Sequence, residues 1–129
     1  MDQTDSITFV TLNRSAVLLI ARQPFLDWVN RLPERNGRGP QTLETLNLKQ
    51  DVFLTPDFDT EEDIREYVAA ISPALFETKL EEWCEKEETW PPNRTLEMFW
   101  QWFEIDIHKQ VIETEDFDED EEELEEEKE

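Results

Sequence analysis

Residues 90–113 change their hydrophobic period partway along, and few folds accommodate such a change. Leu96, Phe99, Trp100 and Phe103 stand at i, i+3, i+4 and i+7, one face of a helix. Met98 and Trp102 flank that stripe and widen it. Phe103, Ile105 and Ile107 then alternate with Glu104, Asp106 and His108, which is strand periodicity. The spacing predicts a helix running directly into a strand. A single longer helix through Phe99, Phe103, Ile107 and Val111 also fits, but the β-branched residues Ile105, Ile107, Val111 and Ile112 favour a strand. Asn93 is positioned to cap the helix, just after two prolines that stop any earlier one.

The rest of the chain has to cover this stretch. The apolar run at 16–21 is continuous, as in a strand covered on both faces, and belongs at the centre of a sheet. Pro24 suits a first helical position, and Phe25, Trp28, Val29 and Leu32 form a helix stripe. Asp27 and Arg31 are spaced to pair on its polar side. Residues 34–49 hold both glycines and read as a loop, with Arg31, Arg35 and Arg38 making it locally basic. A short strand at 51–55 stops at Pro56. Asp59 or Thr60 caps the next helix, whose buried side is Ile64, Tyr67, Val68 and Ile71. Ser72 and Pro73 predict that this helix stops and another begins, carrying Phe76, Leu80, Trp83 and Cys84.

The predicted order is β-α-β-α-α-α-β. The expected fold is α+β: a small three-stranded sheet packed with helices, with a right-handed β-α-β crossover at its start. Residues 1–12 read as an N-terminal extension, in which Ile7, Phe9 and Val10 could equally add an edge strand, 13–113 as a single domain and 114–129 as a disordered tail. The tail is nearly all acid, with Phe117 and Leu124 as its only apolar residues, and cannot bury enough surface to order itself.

Charge narrows the function classes. The chain of 129 residues has 34 acidic and 12 basic residues, a net charge of −22. From Glu113 onward there are 13 acids and one lysine, so 21 acids and 11 bases remain before it, a balance of −10. An acidic body argues against direct contact with nucleic acid or an anionic membrane and favours a basic protein partner. The single Cys84 excludes an internal disulfide, and the acidic N-terminus lacks the basic region of a secretion signal, so the expected location is the cytoplasm.

Three groups of residues are candidates for chemistry. His108 with Asp106, or with Cys84 or Asp27, would serve acid–base or nucleophilic catalysis if folding brings them together. Cys84 on an apolar stripe reads equally as an inert small hydrophobe. Asp57, Asp59, Glu61, Glu62 and Asp63 resemble a cation cluster but lack the glycine and length of a calcium loop, and helix capping accounts for them; no metal or cofactor is expected. Five tryptophans are many for so small a chain, and Trp90 and Trp102 are expected to be partly exposed as a binding surface, with Phe117 as an anchor in the tail.

From about Asn13 to Glu113 the chain resembles a family of short, acidic, uncharacterised bacterial proteins. The resemblance is carried by Gln23-Pro24-Phe25-Leu26-Asp27-Trp28, by Thr60-Glu61-Glu62-Asp63, and by Trp90-Pro91-Pro92-Asn93-Arg94-Thr95 followed by Met98-Phe99, Trp102-Phe103 and His108. It implies a bacterial cytoplasmic origin and one compact domain, and it transfers no site. The reading that results is an interaction or regulatory module binding a basic partner. The alternatives are a small enzyme using His108 with a nearby carboxylate and an acidic mimic of nucleic acid.

Overall fold

The structure is a computed structural model that describes residues 7–116. Its elements are β1 (Ile7–Leu12), β2 (Arg14–Ala21), α1 (Gln23–Arg31), α2 (Leu43–Leu46), β3 (Val52–Pro56), α3 (Glu61–Trp83), α4 (Leu96–Trp102), β4 (Phe103–His108) and β5 (Val111–Asp116). Among the described residues the strands form a three-stranded sheet in the order β3-β2-β4 and a two-stranded ribbon of β1 and β5. The fold is α+β, with the apolar run of β2 in the middle of its sheet.

The element order departs from expectation at three points. Residues 7–12, read as an extension, form β1, and Thr114, Glu115 and Asp116, read as tail, belong to β5. Phe117 and the remaining tail lie outside the described residues. The ribbon continues the sheet: β1 leads into β2, and β4 into β5. Leu12 pairs with Val111 and Ala16 with His108, so three residues of one strand oppose two of the other. That is a β-bulge, which bends and twists the ribbon away from the sheet. The buried Ser15 hydroxyl donates to the Lys109 carbonyl there at 3.1 Å. Loose alternation in 7–12 leaves the edge strand and a flexible extension both open in the sequence, because both faces of a projecting ribbon meet water.

The second departure is at Pro73. The two helices expected on either side of it are one helix of 23 residues. Proline removes the N–H that would bond to the carbonyl of Ala69, and the Ser72 hydroxyl bonds to that carbonyl instead. Thr60 caps the helix by accepting from the Asp63 amide at 3.1 Å, and Glu61, Glu62 and Asp63 fill its first turn, where they complement the helix dipole.

The third is the direction of β3. It runs antiparallel to β2, so there is no β-α-β crossover. After α1 the chain uses residues 32–51 to travel back along the sheet. Asn36 and Gly37 turn with positive φ, and the side chain of Asn47 reaches the far end of β2. There its amide accepts from the Ala21 N–H at 2.8 Å and donates to the Ala21 carbonyl at 3.2 Å, standing in for a strand residue. β3 therefore starts where β2 ends, and only the antiparallel direction is open to it. The basic loop docks on α3: Arg38 lies 3.6 Å over the Trp83 ring, and Asn36 donates to the Glu82 carbonyl. Asn36 and Arg38 thereby donate to the Glu82 carbonyl at the C-terminal end of α3, which lacks an intrahelical donor.

α4 runs straight into β4, as the change of period requires. Thr95, not Asn93, caps it, accepting from Met98 at 3.1 Å, while Asn93 takes a positive φ of 56° ahead of it. The helix is only seven residues long, so its buried residues are Phe99 and Trp102, and Phe103 enters the core from the strand. Phe25, Phe76, Trp102 and Phe103 meet in the core, with Phe25 and Phe103 centroids 4.9 Å apart and Phe76 and Trp102 5.4 Å apart. Leu96, placed on the buried stripe by spacing, is exposed.

Candidate interaction surface

The helices cover one face of the sheet. Val17, Leu19, Ala21, Phe103 and Ile105 face them and are buried. Alternation sends Ala16, Leu18 and Ile20 of β2 to the other face. The register places Leu54 beside Ala16 and Val52 beside Leu18 on β3, with His108, Asp106 and Glu104 opposite Ala16, Leu18 and Ile20 on β4. The outer face is thus two adjacent aliphatic columns bordered on one side by a polar column with two carboxylates. Val52 is 57% exposed and Leu54 53%, while Leu18 and Ile20 are half-buried and Ala16 is buried. An antiparallel sheet with one wet face ordinarily presents polar residues there. Fully covering an aliphatic side chain of this size contributes about 1.5–3 kcal/mol. A contiguous bare patch marks a surface that something else covers.

The signal for this face was in the sequence. The continuous run 16–21 reads as a strand covered on both faces, yet in the fold the helices pack on one face only. The outward residues of β2 and β3 follow from those two facts together.

Of the residues singled out for catalysis, His108 and Asp106 are brought together, and Cys84 and Asp27 lie apart from them. The His108 imidazole Nε2 lies 3.2 Å from the Asp106 carboxylate, and both side chains are about half exposed on the outer face. Cys84 is free and belongs to the core on the opposite side of the sheet, its carbonyl accepting from the Trp90 indole. Asp27 is bonded to Gln23 rather than Arg31, on the exposed side of α1. Clefts of about 400 Å3 beside Pro33, Asn36 and Cys84 and beside Thr11, Asp57 and Lys109 include neither His108 nor Asp106 in their walls. An open, solvated pair is not the enclosed setting that acid–base chemistry uses. Among the described residues no group of three or more His, Cys, Asp or Glu is placed to hold a metal ion, and no helix is long and apolar enough to cross a membrane.

Of the tryptophans expected to be partly exposed, Trp102 is 8% exposed and packed in the aromatic core. Its position at i+3 from Phe99 on a short helix turns it inward. Trp90 is half-buried, with the Arg94 guanidinium 5.5 Å from its ring. On the strands, Glu104 and Asp106 align on β4 and Glu113 and Glu115 on β5, with His108 and the bulge between them.

No family model, characterised protein or solved structure matches this chain.

Proposed function

We propose that this protein is an interaction module that binds a basic partner protein in the cytoplasm. The observation that carries the reading is the aliphatic face of Leu18, Ile20, Val52 and Leu54 with Glu104 and Asp106 along its border. Apolar area at the centre supplies affinity, and the carboxylates supply attraction and orientation. The charge of −22 extends the attraction beyond the contact itself. The free thiol of Cys84 suits a reducing compartment.

The test is capture of partners by the full chain and by a form ending at Asp116, across a salt series. Exposed charges interact over about 8 Å at physiological ionic strength and about 3 Å at 1 M. A basic partner is expected to be held at low salt and released as salt rises. Capture that ignores salt overturns the electrostatic reading. Loss of the partner with the shorter form assigns the attraction to residues 117–129, and retention assigns it to the folded body.

A further inference from the structure

We propose that the outer sheet face is the docking site for a cationic amphipathic helix. This rests on the basic-partner reading and specifies the form of the partner and the place where it binds. The backbone groups between β2 and its two neighbours are already paired, so the face offers side chains rather than a strand edge. Ala16 and Leu18 on β2 lie beside Leu54 and Val52 on β3, with Ile20 next along β2, in two columns about 5 Å apart. A helix lays down a stripe of comparable width. The same strands already accept helices on their other face, through Val17, Leu19 and Ile105. On the β4 side Glu104 lies 3.8 Å from the Arg22 guanidinium and Asp106 3.2 Å from His108, and both carboxylates stay more than half exposed, so the complementary helix carries Lys or Arg beside its apolar stripe.

Charge argues against the two other occupants. A second copy brings another −22 and the same Glu104 and Asp106 to the contact. The chain's own residues 118–129 hold ten acids and one lysine, and on this face they would meet the same carboxylates with like charge.

The test uses two labelled Leu/Lys peptides of identical composition, about 18 residues and roughly five helical turns long. One has leucines at helical spacing and the other alternates leucine and lysine. Fluorescence anisotropy reads their binding to the full chain, to Val52→Thr/Leu54→Thr, to Asp106→Asn and to Glu81→Gln, which lies on the exposed side of α3. The helical peptide is expected to bind the parent chain about tenfold or more tightly than the alternating one, and the threonine pair to lose about that factor. Asp106→Asn is expected to weaken the helical peptide and Glu81→Gln to leave it unchanged. If the threonine pair fails to fold by near-ultraviolet circular dichroism, the contrast between Asp106→Asn and Glu81→Gln decides.

Equal binding of both peptides, unaffected by any substitution, overturns the helix site and leaves the basic-partner reading standing. Absence of binding by either peptide at low salt overturns both. Self-association of the parent chain in sedimentation equilibrium, abolished by the threonine pair, assigns the face to a second copy and overturns the proposal.

Discussion

The Ser72 hydroxyl donates a 2.9 Å hydrogen bond to the carbonyl oxygen of Ala69. Pro73 deprives that carbonyl of its usual partner, so a neighbouring side chain repairs a defect inside a continuous helix. Ser72→Ala should destabilise by about 1–2 kcal/mol, a lost bond plus an acceptor left bare near the core. Pro73→Ala should stabilise by about 1 kcal/mol or more, because an N–H returns and helix propensity improves. Urea unfolding of both variants checks the pair. A loss of stability on Pro73→Ala would contradict this reading.

Asn47 holds both polar groups of Ala21 with one amide. Asn47→Ala should cost about 1–3 kcal/mol, since two backbone groups at the end of the central strand lose their partner. Asn47→Asp should not restore it, because a carboxylate cannot donate to the Ala21 carbonyl. Hydrogen exchange at the Ala21 amide should quicken in both, and unchanged protection there would show that water replaces the side chain without cost.

Lys79 is buried but sits between two half-exposed acids, 3.6 Å from Asp51 and 3.1 Å from Glu82. Lys79→Met keeps the apolar stem and removes the charge. Both acids can be rehydrated, so stability should change by less than about 1 kcal/mol, with either sign. A loss of 3 kcal/mol or more in thermal unfolding, the ~3–5 kcal/mol range of a broken buried pair, would mean that the pair is a net tie between α3 and the residues ahead of β3.

Trp102 and Trp100 are two residues apart and differ in setting. Trp102 meets Phe76 in the core, whereas Trp100 is half-buried against Phe99 at 5.1 Å. Trp102→Ala should cost about 3–5 kcal/mol and Trp100→Ala distinctly less. Denaturant midpoints in the opposite order would contradict this placement of the two rings.

Periodicity located the helix-to-strand junction at Phe103, because a change from one repeat to the other is a local property. It also placed β2 at the centre of its sheet. It misjudged Pro73, where a hydroxyl one residue back decides whether a helix breaks, and β3, whose direction depends on where Asn47 lands. The edge strand open to Ile7, Phe9 and Val10 could not be told from a flexible extension, because its apolar residues, such as Phe9 at 68% exposure, are not sorted by burial. The outer face was half legible: residues 16–21 announced two apolar sides, but only the folded arrangement shows which side is bare. The candidate His108 pair was legible as neighbours on one strand face, and its openness to water was not.

The ribbon also sets how the protein responds to tension. Ile7 pairs with Asp116, so β1 and β5 leave the described structure side by side at one tip. A pull applied through both strands loads the ladder one pair at a time, like a zipper, rather than along its whole length. The ribbon should part at low force as far as the bulge near Asn13 and Lys109. Beyond it the central sheet would take the load with its aromatic core behind it. A partner or anchor attached through either end would therefore be coupled to the domain through a soft, reversible fuse.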